Sequence, residues 1–496
     1  MSRNSGTRGS VQVDIIVSNR VAKVTPGGPV MGGLASALLP AVRKSGVVWF
    51  GSSGNVRNAV PGAPPLVQVE SYGRGTIATV DLPEQHYAGF YEGYANSALW
   101  PLLHSRADLS CASADDFVCY REVNAYMART LAAFGGDDAT FWVHDYHFLL
   151  LARDLRALGV TKEIGFFLHT PWAQRRVMTR LPQIREIVEA MLSYNLIGFQ
   201  TDRDRDNFAE LLRHDLQIPG HGLTFKTRHG TCRLGTFPIG IDAEAFAESA
   251  RKAANDEEVR RLRQSVADSA LVIGVDRVDY SKGLVPRIQA FDRLLTTQPD
   301  LKRRLSLLQI AVPSRTNIEA YRGLQHDLSA LVGEVNGRHG EVDWTPIRYL
   351  NKGYCQASLA GFYRASSIGL ITPMQDGMNL VAKEYVAAQN PDDPGVLVLS
   401  KFAGAACELN GALLVDPRDV DGMAQRLVTA LAMPRCERRE RWQSMMQTLL
   451  QHSIHAWFAG FMQELKAPQP NVLPLATAKV AALRPSPRDQ AFATHH

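Results

Sequence analysis

LVIGVDRVDYSKG, residues 271–283, runs from a block of apolar and small residues into a charged loop that ends on glycine. Leu271–Val275 has the composition of a buried strand, and Val285–Leu295 just beyond it has helical spacing. A strand, a turn at Gly283 and a helix are the opening of a βαβ unit. Downstream the alternation repeats. Strand patterns at Leu305–Ala311, Ile368–Thr372, Val396–Leu399 and Ala412–Val415 are separated by helical ones at Glu319–Val332, Leu380–Ala388 and Asp419–Leu431. Upstream lies a second series, with strands at Val11–Val17, Val47–Phe50, Thr140–Val143, Ile164–Leu168 and Leu196–Phe199 and helices at Leu34–Lys44, His147–Leu158 and Asp204–Leu216. GTFPIGID, residues 235–242, breaks the pattern between them with glycine and proline.

The sequence therefore predicts an α/β protein of two doubly wound, Rossmann-like domains facing a central cleft, at 11–238 and 239–466. The last helix before the tail is free to cross back to the first domain. Residues 1–10 read as a disordered N-terminus and 467–496, rich in Pro and Ala, as a flexible tail. At 496 residues two or three domains are expected, and 45% hydrophobic with 21% charged residues is the balance of a soluble globular chain. The polar start MSRNSGTRGS is not a secretory signal, and no run of about 18 apolar residues occurs, so the cytoplasm is expected. Six scattered cysteines without a CxxC pair argue against a disulfide framework or a zinc site and read as reduced packing residues. A net charge of +5, spread along the chain, gives no stripe for nucleic acid.

Open α/β sheets bind ligands beyond the C-terminal ends of their strands, and the residues of chemical interest lie there. Arg277 and Lys282 share one post-strand loop, a guanidinium fork and a point charge suited to a diphosphate leaving group. Surface ion pairs with Asp276 and Asp279 are the alternative. DGMNLVAKE, 376–384, passes from a turn into a helix whose free N–H groups suit phosphate or hydroxyl oxygens. There Asp376 is either a sugar-hydroxyl acceptor or an N-cap, and Glu384 either a ribose ligand or a solvated helix residue. Asp145, in HDYH (144–147), and His169 each end a strand, as hydroxyl partners or as structural residues. The two His of HDYH, at i and i+3 with the Asp, have the form of metal ligands, but the spacing offers no third partner. Ser18-Asn19-Arg20 ends the first strand, and Gly27-Gly28 and Gly32-Gly33 follow without GxGxxG spacing, which makes a dinucleotide site remote. Tyr91 and Trp100 are an apolar wall for a sugar or ordinary core. Arg315 meets an acceptor phosphate or solvent. Asp202-Arg203-Asp204 has the form of a metal-binding DxD, but its place at a helix start favours capping.

SNR followed by GGL, NSALWP, HDYH, GFFLH, FPIGI, DYSKG, YLN and DGMNLVAKEYVAAQ together resemble the retaining trehalose-6-phosphate synthases of glycosyltransferase family 20, from about Val13 to Lys466. The resemblance implies a GT-B fold and glucose transfer from UDP-glucose to glucose 6-phosphate, giving trehalose 6-phosphate and UDP. It places Arg20, Tyr91, Trp100 and Arg315 around glucose 6-phosphate, with Arg20 and Arg315 on its phosphate. On the donor it places Gly33, Arg277 and Lys282 at the diphosphate, Gly377, Met378, Asn379, Leu380, Val381, Ala382, Lys383 and Glu384 on the nucleotide side, and Tyr354 beside the base. Asp145, His169 and Asp376 are then hydroxyl ligands and, with Arg277 and Lys282, the catalytic set. No tightly bound cofactor and no metal are implied, and the assembly is a homo-oligomer, a tetramer by resemblance. The implied chemistry is a same-face internal return in which the departing phosphate takes the acceptor's proton. Two positions depart from the pattern: Ser52 stands where relatives carry a second Trp, and Gln375 where they carry Arg. Other acceptors (a glucosylglycerol-phosphate synthase) and a silent regulatory subunit are the rival readings.

Overall fold

The computed structural model describes residues 13–21, 33–58, 65–136, 138–266 and 269–468. The first series folds as one sheet: β1 (Asp14–Arg20), β2 (Val48–Arg57), β3 (Val67–Tyr72), β4 (Gly75–Pro83), β5 (Thr140–His144), β6 (Ile164–Phe167), β7 (Leu196–Phe199), β8 (Gly220–His221), β9 (Thr224–Thr227) and β10 (Gly230–Thr236). Its order is β3-β4-β2-β1-β5-β6-β7-β10-β9-β8. The strands from β4 to β10 along that order are parallel, and β3, β8 and β9 add antiparallel edges. The second series is β11 (Ala270–Arg277), β12 (Leu305–Val312), β13 (Ile347–Leu350), β14 (Ile368–Ile371), β15 (Val396–Ser400) and β16 (Leu413–Val415), all parallel, in the order β13-β12-β11-β14-β15-β16.

Numbered within its own sheet, that last order reads 3-2-1-4-5-6, the Rossmann arrangement, whose direction of winding reverses between the first and fourth strands. The reversal falls between β11 and β14 in the second sheet and between β1 and β5 in the first. The C-terminal ends of these four strands and the loops after them hold Arg277 and Lys282, Asp376, Arg20, and Asp145. Topology alone thus selects the segments singled out in the sequence.

The strands themselves are nearly continuous apolar runs, as both-face burial requires. Among the elements the sequence reading passed over are the Val67–Pro83 hairpin, the Ala114–Gly135 helix and the small β8–β10 meander, which lack a clean period, and β13 and the Gln356–Ala365 helix. The stretch before Trp100 is a wide, five-residue-spaced helix, Ala88–Leu99. Side chains secure its loose carbonyls: Asn96 Nδ2 donates to Tyr91 O (2.8 Å) and Ser97 Oγ to Glu92 O (2.6 Å).

A core cluster runs through both sheets. The last helix, Ile454–Lys466, follows the second sheet in sequence yet packs on the first: Phe461 stacks on Trp142 at 4.3 Å, over Gly165 and Gly198. Of the six cysteines, all free, Cys232 alone is buried; Cys111, Cys407 and Cys436 are exposed, so packing does not account for them. No described helix is long and apolar enough to cross a membrane.

Candidate active site

Gly377 marks where the two sheets meet. A Cβ placed on it would lie 2.0 Å from His169 O, so the turn after β14 sits directly on the loop after β6. The turn is fixed from behind, with Gly404 N donating to Asp376 O (3.2 Å) and Ala405 N to Met378 O (2.8 Å). Asn379, at φ 77°, caps the Leu380–Ala388 helix by accepting from Ala382 N, and its Nδ2 reaches Asp376 Oδ2 at 3.0 Å. The N-cap is therefore Asn379, and Asp376 is left for another partner. That partner is Lys282, whose Nζ lies 2.5 Å from Asp376 Oδ2, both side chains about one-seventh exposed. Burial pushes the Asp376 carboxyl up, but Lys282 and the hydrogen bonds outweigh it and hold it below its ordinary value.

Lys282 ends a short turn whose geometry is set by Gly283, left-handed at φ 64° and so close to Thr372 O that a Cβ would fall at 2.1 Å. Behind it the fully buried Arg287 ties the two loops together. It donates to Asp276 (2.6 Å), Gln309 (3.0 Å), Thr372 Oγ1 (3.0 Å) and Lys282 O (3.2 Å). The ion pair foreseen for Asp276 with Arg277 thus goes to Arg287, and that for Asp279 with Lys282 goes to Arg315. Arg277 itself is exposed, with its guanidinium carbon 5.7 Å from the Trp100 ring centre.

Arg315, at φ 50°, crosses to the first sheet. Its guanidinium stacks 3.9 Å above Trp100, donates to Asp279 (3.2 Å) and Tyr321 (2.5 Å), and reaches Tyr146 Oη of the first sheet at 3.1 Å. Its side chain is only 5% exposed, so it does not face open solvent. Asp279, buried beneath it, is held below its ordinary value because Arg315 and Arg277 overcome the cost of burial. Tyr91 extends the wall, stacked between Tyr87 (5.5 Å) and His147 (5.9 Å). Arg20 is exposed and lies against Gly54.

Asp145 holds a backbone conformation, φ 74° and ψ 167°, that only glycine adopts without strain, at a cost of about 1–3 kcal/mol. Burial raises its carboxyl to about 6, against the N–H groups of Tyr146, His169 and Thr170 and the charge of Arg315. His169 Nε2 is 3.0 Å from His144 Nδ1, and its Nδ1 is 3.4 Å from Gln200 Nε2. Burial lowers His169 to about 3, so it is neutral near pH 7. His147 is buried with both ring nitrogens unpartnered among the described residues, a packing histidine. His104 also borders the site. Its Nδ1 donates to Trp100 O at 2.9 Å, and burial lowers it to about 4, partly offset by Asp279.

Glu384 and Leu380 line a cavity of about 120 Å³ with Gln356 and Ile241, and burial raises the Glu384 carboxyl to about 7. Tyr354 packs edge-on to Phe362 at 5.1 Å. Lys383 points elsewhere: fully buried, its Nζ donates to Glu408 Oε2 (2.6 Å) and Ile239 O (2.7 Å), so its side chain is structural. Met378 and Ala382 are buried, and Val381 is half-buried against the core. Gly33 opens the helix Gly33–Lys44; Gly27, Gly28 and Gly32 lie outside the described residues. Asp202-Arg203-Asp204 is structural, though the cap is Thr201: it accepts from Asp204 N, and the Asp204 carboxylate accepts from Thr201 Oγ1 (2.6 Å) and Trp172 N (3.2 Å). Ser52 is buried and its Oγ accepts from Gly54 N, while Gln375 is half-buried beside the Lys282 loop. Arg287, His104 and Gln200 are the residues that sequence reading missed. Each is a lone polar residue in an apolar or helical run, with no motif to mark it. His144 was marked by HDYH, but not its contact with His169.

A model of glycosyltransferase family 20 matches residues 16–467. A trehalose-6-phosphate synthase of Sinorhizobium fredii is 43% identical over 463 residues, 91% of this chain and 98% of that protein. Among solved structures, an α,α-trehalose-phosphate synthase (UDP-forming) from Burkholderia xenovorans in complex with glucose-6-phosphate is 43% identical. It covers 91% of this chain and 100% of its own, with a TM-score of 0.88. An Escherichia coli structure bound with UDP-2-fluoro glucose is 36% identical, covers 92% of this chain and 100% of its own, and has a TM-score of 0.85.

Proposed function

The chain belongs to glycosyltransferase family 20, and on that premise we propose that it moves glucose from UDP-glucose onto glucose 6-phosphate with retention, releasing UDP and α,α-trehalose 6-phosphate. The observation that carries this reading is the convergence of the loops after β1, β5, β11 and β14 on one cleft, with Arg277 and Lys282 on one side and the Arg315–Trp100 stack on the other.

In the proposed reaction the first sheet's residues, 11–238, receive the acceptor and residues 239–466 the donor. Lys282 exchanges Asp376 for the diphosphate, freeing the carboxylate for hydroxyls of the glucose being transferred. Arg277 supplies the second cation. Each charge-assisted bond is worth about 1.5–3 kcal/mol, and more where the leaving group's charge grows in the transition state. Arg315 and Arg20 take the acceptor phosphate, and Trp100 and Tyr91 its sugar face. Asp145, fixed in position by three backbone amides, accepts from a sugar hydroxyl in its ionised form, and His169 pairs with another. No side chain is assigned as nucleophile: the departing phosphate accepts the acceptor's proton on the same face, and the protein positions and neutralises. On the nucleotide side Glu384 takes the ribose hydroxyls and Tyr354 flanks the base, while the backbone from Gly377 to Lys383, with Gly33 opposite, closes around the phosphates. The reading includes no metal or tightly bound cofactor, a cytoplasmic location and a homo-oligomer, a tetramer by family resemblance.

The test is incubation with UDP-, GDP- and ADP-glucose against glucose 6-phosphate, with products read by mass. A phosphorylated disaccharide formed fastest from UDP-glucose is the expected result; donor hydrolysis without a disaccharide would overturn the reading.

A further inference from the structure

Away from the site just described, the turn of the β3–β4 hairpin grips the C-terminal end of the Gly33–Lys44 helix. A Cβ on Gly73 would lie 2.6 Å from Arg43 O, one on Gly75 2.3 Å from Val42 O, and Arg74 N donates to Arg43 O at 2.9 Å. This close fit sets Arg74 beside Arg43 and Lys44 on the rim of a cavity of about 640 Å³. Like charges held together repel one another, and no acidic residue lines the cavity. Among the described residues neither arginine makes an ion pair, and the partner of Lys44 Nζ is another base, His455 Nε2 at 3.1 Å, which itself lies 3.7 Å from Asp242 Oδ2 outside the cavity lining. Basic residues in a helix's last turn are favoured by its dipole, which accounts for Arg43 and Lys44 but not for Arg74 on a hairpin clasped to them.

The opposite wall comes from the second sheet's side: Gln356, the first residue of the Gln356–Ala365 helix, whose dipole adds positive potential although Cys355 caps its first turn by accepting from Ser358 N. The Tyr72 ring supplies an apolar face. The geometry points to a second anion site here, one that takes a phosphorylated small molecule of about mononucleotide size, with phosphate on Arg43, Arg74 and Lys44 and its organic part against Tyr72 and Gln356. The volume falls within the usual range for small-ligand pockets, roughly 300–1,000 Å³. Pro40 and Gln356 line both this cavity and the smaller one that holds Glu384. A ligand here therefore joins the first sheet's helix to the nucleotide wall and lowers the KM for the donor. That last consequence rests on the proposed function; binding itself does not.

The test is calorimetric titration of pyrophosphate and, separately, of 5′-AMP into the full chain kept saturated with UDP and glucose 6-phosphate, in wild type and Arg43→Gln/Arg74→Gln. Binding of at least one probe, weakened about tenfold or more in the double variant while UDP affinity is unchanged, is expected. Pyrophosphate alone would mark an inorganic anion as the ligand, and a preference for 5′-AMP an organic one. Wild type binding neither probe, or both proteins binding equally well, would overturn the site. Should the double variant fail to fold by circular dichroism, Lys44→Gln is judged by the same criteria. Loss of UDP binding in every protein would count against the proposed function instead, because the probes read this cavity independently.

Discussion

Arg315 lies flat over the Trp100 ring, its guanidinium carbon 3.9 Å from the ring centre, and so joins the loop after β12 to the helix that follows the wide turn of the first sheet. A cation buried on an aromatic face gains about 2 kcal/mol or more, and Asp279 and Tyr146 fix its plane from either side of the interface. The proposed acceptor site is thus built by both halves of the molecule.

Arg315→Lys keeps the charge but loses the planar fork and the stacking. The KM for glucose 6-phosphate should rise about tenfold to a hundredfold, with the KM for UDP-glucose changed less than about threefold. Steady-state kinetics with each substrate varied in turn will show it. Equal losses on both substrates would mean that the residue props up the interface rather than the acceptor.

Gly377→Ala drives a methyl group into the backbone of His169, where an added Cβ would be 2.0 Å from the carbonyl oxygen. Because backbone rather than a flexible side chain lies in the way, the two sheets must separate. The variant should be at least about 1–3 kcal/mol less stable and lose nearly all turnover. Thermal melting and activity measured on the same preparation check this.

Acid should destabilise the protein before it titrates any surface pair. His147 and His169, lowered to about 3, and His104, lowered to about 4, stay neutral in the folded state while the unfolded chain takes up protons from about pH 6.5 downward. Their contribution is complete above about 6.5 and is lost as pH falls toward 3–4. Asp145 and Glu384 act in the opposite sense: with carboxyls raised to about 6 and about 7 they favour folding as pH falls through those values. They are two groups against the three histidines and His144, which burial lowers as well. Melting temperature should therefore fall steadily below about pH 6.5, and His147→Phe should flatten the slope. The Glu384 carboxyl, raised to about 7, adds a second effect: the KM for UDP-glucose should climb below that pH in wild type and be high and level in Glu384→Gln.

Lys383 sits inside the DGMNLVAKE motif, but its side chain turns away from the cleft to Glu408 and Ile239 O. Lys383→Met leaves Glu408 buried with only His452 (2.8 Å) for a partner, which should cost about 3–5 kcal/mol in urea unfolding. The folded fraction should turn over within about threefold of wild type. A selective loss of UDP affinity would instead place the ammonium at the nucleotide.

How much of this could be read from the sequence follows from what each element depends on. The strands around both reversal points are buried on two faces and therefore spelled in Val, Ile, Leu and Phe, and the helices behind them are amphipathic. Leu271–Val275 and Leu380–Ala388 were legible for that reason, and Arg277, Lys282 and Asp376 were legible because they follow such strands. Asp145 was visible by place, but its strained backbone was not. The partners of a charge were beyond reach. Asp276 is eleven residues from Arg287, and Asp279 thirty-six from Arg315, and only the folded sheet brings those pairs together. Lys383 was misplaced for a similar reason: in a short helix surrounded on several sides, motif membership does not tell which way a side chain points. Ala88–Leu99 has no regular period because its turns are wide, and the side chains that bind its carbonyls are ordinary Asn and Ser.

A crystal structure of the chain with UDP is the most direct examination of the cleft. The diphosphate should lie against Arg277 and Lys282, with Lys282 drawn off Asp376 and the ribose at Glu384. A nucleotide bound anywhere else, or a Lys282–Asp376 pair still closed beneath it, would contradict the assignment of these loops to the leaving group.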